Sequence, residues 1–237
     1  MPHDLWVLLV DRGWALAMVR GSFMTVAVGA LGMLLGLLLG FPLALVRWLK
    51  IPVASQAIEA AATIVRSVPG LLVIYLFFFG SVETADAIGS FFGFEDAVQG
   101  TYPFVMGVVA IGVIACAYAV EVFRGALQEI PSGLIEAGRA LALPRWALYR
   151  TIVAPLMLRL ALGGLNNVWQ STIKETSLVS VVGLQEVMRI SAIAAGITRS
   201  PLLFYLLAAL VFLAITGLSQ FTFSAIERRL NVGFGSR

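Results

Sequence analysis

Five long apolar runs constrain this chain more than any other feature of its 237 residues: about 23–46, 57–80, 102–123, 152–171 and 202–226. A helix needs about 20 mainly apolar residues to cross the hydrocarbon core of a bilayer. In lipid every unpaired backbone N–H or C=O is costly, so only helices or a closed barrel can span. Barrel strands are short and alternate in polarity, and apolar runs of this length exclude them. The chain therefore reads as an all-α membrane protein with five transmembrane helices. Composition agrees: 60% of residues are apolar and 12% charged, against about half and a quarter in soluble domains. Asp4 and Asp11 precede the first run and do not suit the positive end of a signal peptide, so that run is expected to be retained. The section 176–196 is apolar on average but interrupted by Gln185, Glu186 and Arg189, and reads as short helices packed within the protein.

Lys and Arg accumulate in cytoplasmic loops. Arg47 and Lys50 follow the first run, Arg124, Arg139, Arg145 and Arg150 follow the third, and Arg228, Arg229 and Arg237 close the chain. The 81–101 segment instead holds Glu83, Asp86, Glu95 and Asp96 with no Lys or Arg. With an odd number of spans, this predicts an N-terminus outside and a C-terminus in the cytoplasm. The net charge of +3 calls for no nucleic acid. Cys116 is the sole cysteine and His3 the sole histidine, which excludes an intrachain disulfide and a multi-histidine metal site. No GxxxxGK[ST] phosphate loop occurs. If ATP is used, another chain binds it, and no cofactor is expected in this one.

Ionisable and amide groups inside a span need a partner or a task. Asn166, Gln170 and Lys174 recur at intervals of four, with Asn167 and Ser171 beside them, and form one polar stripe on a helix. The stripe must face either a water-filled path or a neighbouring helix that it holds by hydrogen bonds. Glu121 and Arg124 stand at i and i+3, close enough to pair, as a structural ion pair or as substrate contacts. Pro69 and Gly70 should break the second span, with Arg66 just before the break, either as a packing kink or at a substrate path. Glu59 lies about 10 Å along the axis from Arg66, too far for a direct pair, and is placed at the cytoplasmic rim. Gly29, Gly32, Gly36 and Gly40 give a small face for close helix approach.

The stretch "EAGRALALPRWALYRTIVAP", 136–155, is too short and too charged to cross the bilayer. Glu136, Ala137, Ala140 and Leu141 fit a short helix with an apolar face, and Pro144 suits the first turn of the next, which carries Trp146, Leu148 and Tyr149 toward Pro155. Such a pair belongs at the membrane surface, as a plain amphipathic element or as something more specific. The segment resembles the cytoplasmic EAA loop of ABC-transporter permeases: Glu136 and Ala137 match its opening and Pro155 its closing proline. Gly138 stands where a second Ala is usual, Ala142 where Gly is usual, and Leu134 where Gln is common. Because Ala disfavours the left-handed backbone that Gly adopts, that turn is expected to be less favoured at Ala142 or made differently.

"AYAVEVFRGAL", "VRSVP" and "KETSL" are similar to the polar amino-acid branch of the same family. Ser67 and Val68 replace the usual Gly and Thr before Pro69. The likeness spans about 23–187 and implies a type I importer permease fold: one permease domain over 1–237, with a coupling loop at about 130–155. It further implies a periplasmic N-terminus, a bacterial inner membrane, and alternating access for polar amino acids or opine-like conjugates. A second permease chain, two ATPase subunits that bind ATP and Mg, and a periplasmic solute-binding protein are the implied partners. Glu136, Ala137, Gly138, Leu141 and Ala142 are the implied ATPase-coupling residues. Arg66, Glu121, Arg124, Asn166, Gln170, Lys174 and Glu175 are the candidate substrate path. A secondary carrier, a passive channel or a non-transporting scaffold are the alternatives; the chain shows no internal repeat of the kind a secondary carrier usually has.

Overall fold

The computed structural model describes residues 13–92 and 95–231. His3, Asp4, Asp11 and Arg237 lie outside the described residues. In chain order the helices are α1 (Trp14–Trp48), α2 (Pro52–Ser67), α3 (Gly70–Gly80), α4 (Val82–Phe92), α5 (Glu95–Gln128), α6 (Ser132–Ala140), α7 (Arg145–Leu148), α8 (Ala154–Glu175), α9 (Val187–Thr198) and α10 (Pro201–Asn231). A π-helical turn, Tyr149–Val153, joins α7 to α8, and a 3-10 helix, Thr176–Val182, follows α8.

Among the described residues, five helical stretches are long and apolar enough to cross a membrane. They correspond to the five apolar runs, with shifted ends. The first begins at Trp14 rather than near residue 23, and the fourth runs from Arg145 to Val182. The acidic 81–101 segment, expected as a loop, is helical over α4 and the first turns of α5. The second run is divided. Pro69 lacks an N–H and forces the preceding residue out of the helical region; Val68 is extended at φ −88°, ψ 137°. The crossing stretch there is Gly70–Ala87, and α2 is a separate amphipathic helix. The 176–196 section holds the 3-10 helix and α9, short elements as expected.

The centre of the bundle is α5. Of its apolar window 56% is buried within the chain, against 11% for α10, so α10 is clad by lipid or a partner. The most extensive contact is between α1 and α5, and the glycine face of α1 makes it possible. A Cβ on Gly36 would lie 2.7 Å from Ala115 Cβ and 2.8 Å from Cys116 N; one on Gly40 would lie 3.0 Å from Ala119 Cβ. Only hydrogen at these positions lets the two backbones approach so closely. The small face is thus used inside the chain. Below it Phe41 and Phe123 pack edge to face at 5.5 Å.

Candidate coupling loop and polar path

The segment between α5 and α8 folds as two short helices at one end of the bundle. Helix α6 ends in a Schellman arrangement: Leu143 N–H donates to Gly138 C=O at 3.2 Å and Ala142 N–H to Arg139 C=O at 2.9 Å. This motif requires a left-handed residue after the cap, and Ala142 supplies it with φ 55°. The turn that the Gly-to-Ala departure was expected to disfavour is therefore made in its usual form, with an Ala bearing the strain.

Gly138 is the inward residue of α6. A Cβ there would run into Leu148 Cδ1 and reach within 3.0 Å of Ile152 Cδ1, so the absence of a side chain is what lets α6 lie on the α7–α8 junction. Glu136, Ala137, Leu141 and Ala142 are exposed on the other side, as are the apolar Leu134 and Trp146. The five coupling candidates thus divide: Gly138 holds the loop to the bundle and the other four face outward. At the junction Pro155 offers no N–H to the carbonyl one turn back, and the backbone widens into the π turn there. Tyr149 in that turn meets Trp48, the last residue of α1, edge to face at 6.1 Å, tying loop to bundle.

Glu121 of α5 is a hub. It accepts from Arg124 at 2.8 Å, from Arg47 at the end of α1, and lies 3.5 Å from Arg66 at the end of α2. Arg47 also reaches Glu59 of α2 at 3.2 Å, and Arg124 donates to Gln128 at 2.7 Å. The expected Glu121–Arg124 pair is present. The position of Glu59 is explained by a partner the sequence did not single out, Arg47, whose side chain is only 7% exposed. Three cations against two carboxylates bind α1, α2 and α5 together, and the Nε of Arg47 is buried without a partner.

The polar stripe of α8 is split. Asn166 donates to Gln220 at 2.9 Å and Gln170 to the Thr216 carbonyl at 3.4 Å, both on α10. Asn167, Ser171 and Lys174 are exposed, and Lys174 forms no salt bridge with a described residue. Helical geometry explains the division: positions 166 and 174 differ by about 80° around the axis. The stripe therefore gives interhelical hydrogen bonds along one edge and an unpartnered polar face along the other. Glu175 is half-buried at the α2–α3 break, its carboxyl carbon 3.8 Å from where a Cβ of Gly70 would stand. Glu121, Arg124 and Arg66 are thus brought together, Glu175 adjoins the break, and Asn166 and Gln170 turn to α10.

The profile of the family described as binding-protein-dependent transport system inner membrane component matches residues 21–232. The chain belongs to this family. It is 41% identical over 217 residues to the octopine transport system permease protein of Rhizobium meliloti, covering 92% of this chain and 91% of the relative. To the nopaline transport system permease protein of Agrobacterium fabrum it is 39% identical over 228 residues, with 96% of each covered. To the histidine/lysine/arginine/ornithine permease of Salmonella typhimurium it is 31% identical over 221 residues, covering 93% of this chain and 96% of that one. The fold matches a crystal structure of an amino acid ABC transporter with a TM-score of 0.77 at 24% identity, over 94% of this chain and 98% of that one. It also matches the inward-facing MetNI methionine ABC transporter at 0.75 and 19% identity, over 91% and 97%. This family member is a permease subunit of an ABC importer, and the importer's ATPase is a separate chain.

Proposed function

We propose that the chain carries polar amino acids or opine-type conjugates across a bacterial inner membrane as one of two permease chains, powered by two ATPase subunits and fed by a periplasmic binding protein. The observation that carries the coupling part is the division of α6. Its inner face is seated on Leu148 and Ile152 through Gly138, while Glu136, Ala137, Leu141 and Ala142 stand outward beside exposed Leu134 and Trp146. A surface helix held this firmly on one side and offered apolar and acidic groups on the other suits a protein partner that pushes on it.

The basic segments Arg47–Lys50 and Arg139–Arg150 lie at the same end of the bundle as α6, which supports a cytoplasmic loop and a periplasmic N-terminus. ATP and Mg bind on the partner. Closure of the ATPase subunits moves α6, and through the α7–α8 junction the spans, so that the path opens outward; hydrolysis resets it. Such a shift requires α6 to contact the ATPase differently in the two states. Along the path, Asn167, Ser171 and Lys174 form a polar face that cannot rest against lipid. Lys174 and Glu175 offer both signs to a zwitterion, in keeping with the named substrates of the relatives.

The test is a complex with its partner chains in vesicles, comparing wild type with Glu136→Lys. Loss of binding-protein-stimulated ATPase and uptake, with assembly retained, supports α6 as the coupling element. Unchanged activity in both assays refutes it.

A further inference from the structure

Where α1 ends against the α7–α8 junction, Phe41, Leu45 and Trp48 face Tyr149, Val153 and Met157 across an open groove of about 320 Å³. No charged residue lines it. From Phe41 to Trp48 it runs about 10 Å along α1, from the helix terminus toward the bilayer interior. Trp48 and Tyr149, edge to face at its mouth, are residues of the kind that sit at headgroup level.

Three exposed cations stand next to the groove residues along the chain. Lys50 follows the groove residue Leu49, Arg150 follows Tyr149, and Arg145 stands one turn before Tyr149 on the same helix face. All three are exposed, and none forms a salt bridge with a described residue. Arg47, by contrast, is turned inward to Glu121 and Glu59.

From this arrangement we infer that the groove binds one anionic phospholipid, an acyl chain lying between α1 and the start of α8 and the phosphate held by Lys50, Arg145 and Arg150. Charge decides the occupant. A zwitterionic lipid brings its own cation to the phosphate, whereas three exposed, unpaired cations on the segments that form one opening match a net negative headgroup. Guanidinium groups present paired donors that fit phosphate oxygens. A scattered basic surface would only concentrate anionic lipid; the apolar groove between these cations gives one chain a defined seat. The inference needs only that the chain stand in a bilayer and is independent of the transported solute.

The test uses the purified transporter complex in phosphatidylcholine vesicles in which part of the lipid is brominated phosphatidylglycerol or brominated phosphatidylcholine. Bromine quenches tryptophan at short range, and the difference between wild type and Trp48→Phe isolates the signal of Trp48. Brominated phosphatidylglycerol is expected to quench that signal at a several-fold lower mole fraction than the phosphatidylcholine analogue. The preference is expected to vanish in Lys50→Gln/Arg145→Gln/Arg150→Gln, and in Ala154→Phe, which fills the groove and keeps the cations. Equal quenching by both lipids in the wild type would mark ordinary solvating lipid and overturn the inference. So would a preference that survives the triple substitution, or a Trp48 that neither lipid reaches because a partner chain covers it.

Discussion

Arg47 and Glu121 stand 74 residues apart in the chain and meet side chain to side chain, so that the end of α1 is held to the buried helix α5 about two turns before its C-terminal end. Arg47 adds Glu59 to the contact, which brings in α2. Removing one member of a buried pair leaves an uncompensated charge, at a cost of about 3–5 kcal/mol. Glu121→Gln is therefore expected to destabilise strongly, as is Arg47→Gln, with Arg66→Gln milder because that pair is longer and more exposed. Arg47→Lys should not restore stability, since a single ammonium does not reproduce the guanidinium fork. Thermal unfolding in detergent, tracked by loss of the assembled complex, checks the order.

Gly36→Ala places a methyl group against Ala115 and the backbone of Cys116. Backbone cannot move aside cheaply, and overpacking of this kind costs about 1–3 kcal/mol. Gly125→Ala, where a Cβ meets nothing within 4 Å, is expected to be neutral or to stabilise by up to about 1 kcal/mol through helix propensity. A midpoint that falls for Gly125→Ala and not for Gly36→Ala would contradict the account of the α1–α5 contact.

Ala142→Gly should stabilise the loop. A non-glycine residue in the left-handed region costs about 1–2 kcal/mol, part of which the greater chain entropy of glycine offsets, leaving a net gain of up to about 1 kcal/mol. Slower amide exchange at Leu143, whose N–H closes the helix-end motif on Gly138, is the observable.

Gly138→Ala drives a methyl group into Leu148. The substitution is expected to lower stimulated ATPase, and Leu148→Ala to recover part of the loss. The double-mutant cycle should give a favourable interaction of about 0.5–3 kcal/mol; a purely additive result would mean that α6 is not seated through this contact.

Asn166→Ala and Lys174→Gln should separate the two edges of α8. The first loses the hydrogen bond to Gln220, about 0.6 kcal/mol in comparable membrane helices, and Gln220→Ala should add little to it. Lys174→Gln is expected to leave stability within about 0.5 kcal/mol while changing the rate of uptake. Equal effects of both on stability would place Lys174 with the interhelical contacts.

Apolar run length by itself determined that the chain is a five-span helical bundle, because the thickness of hydrocarbon sets the length of any helix that crosses it. Pro69 determined the break between α2 and α3, since a missing N–H acts on its own neighbours. The start of α7 just after Pro144 was legible for the same local reason. Three things were decided only by tertiary structure. Arg47 read as a loop charge, and nothing within a turn of it announces Glu121 or Glu59. The stripe on α8 read as one face, because spacing alone cannot tell which part of a sector of about 140° meets α10 and which part stays open. Ala142 read as an obstacle to a left-handed turn that the seating of Gly138 on Leu148 nevertheless secures. Local backbone chemistry and solvent thickness act within a few residues and are written in the chain. The partner of a buried charge depends on which helices touch, and only the folded bundle settles that.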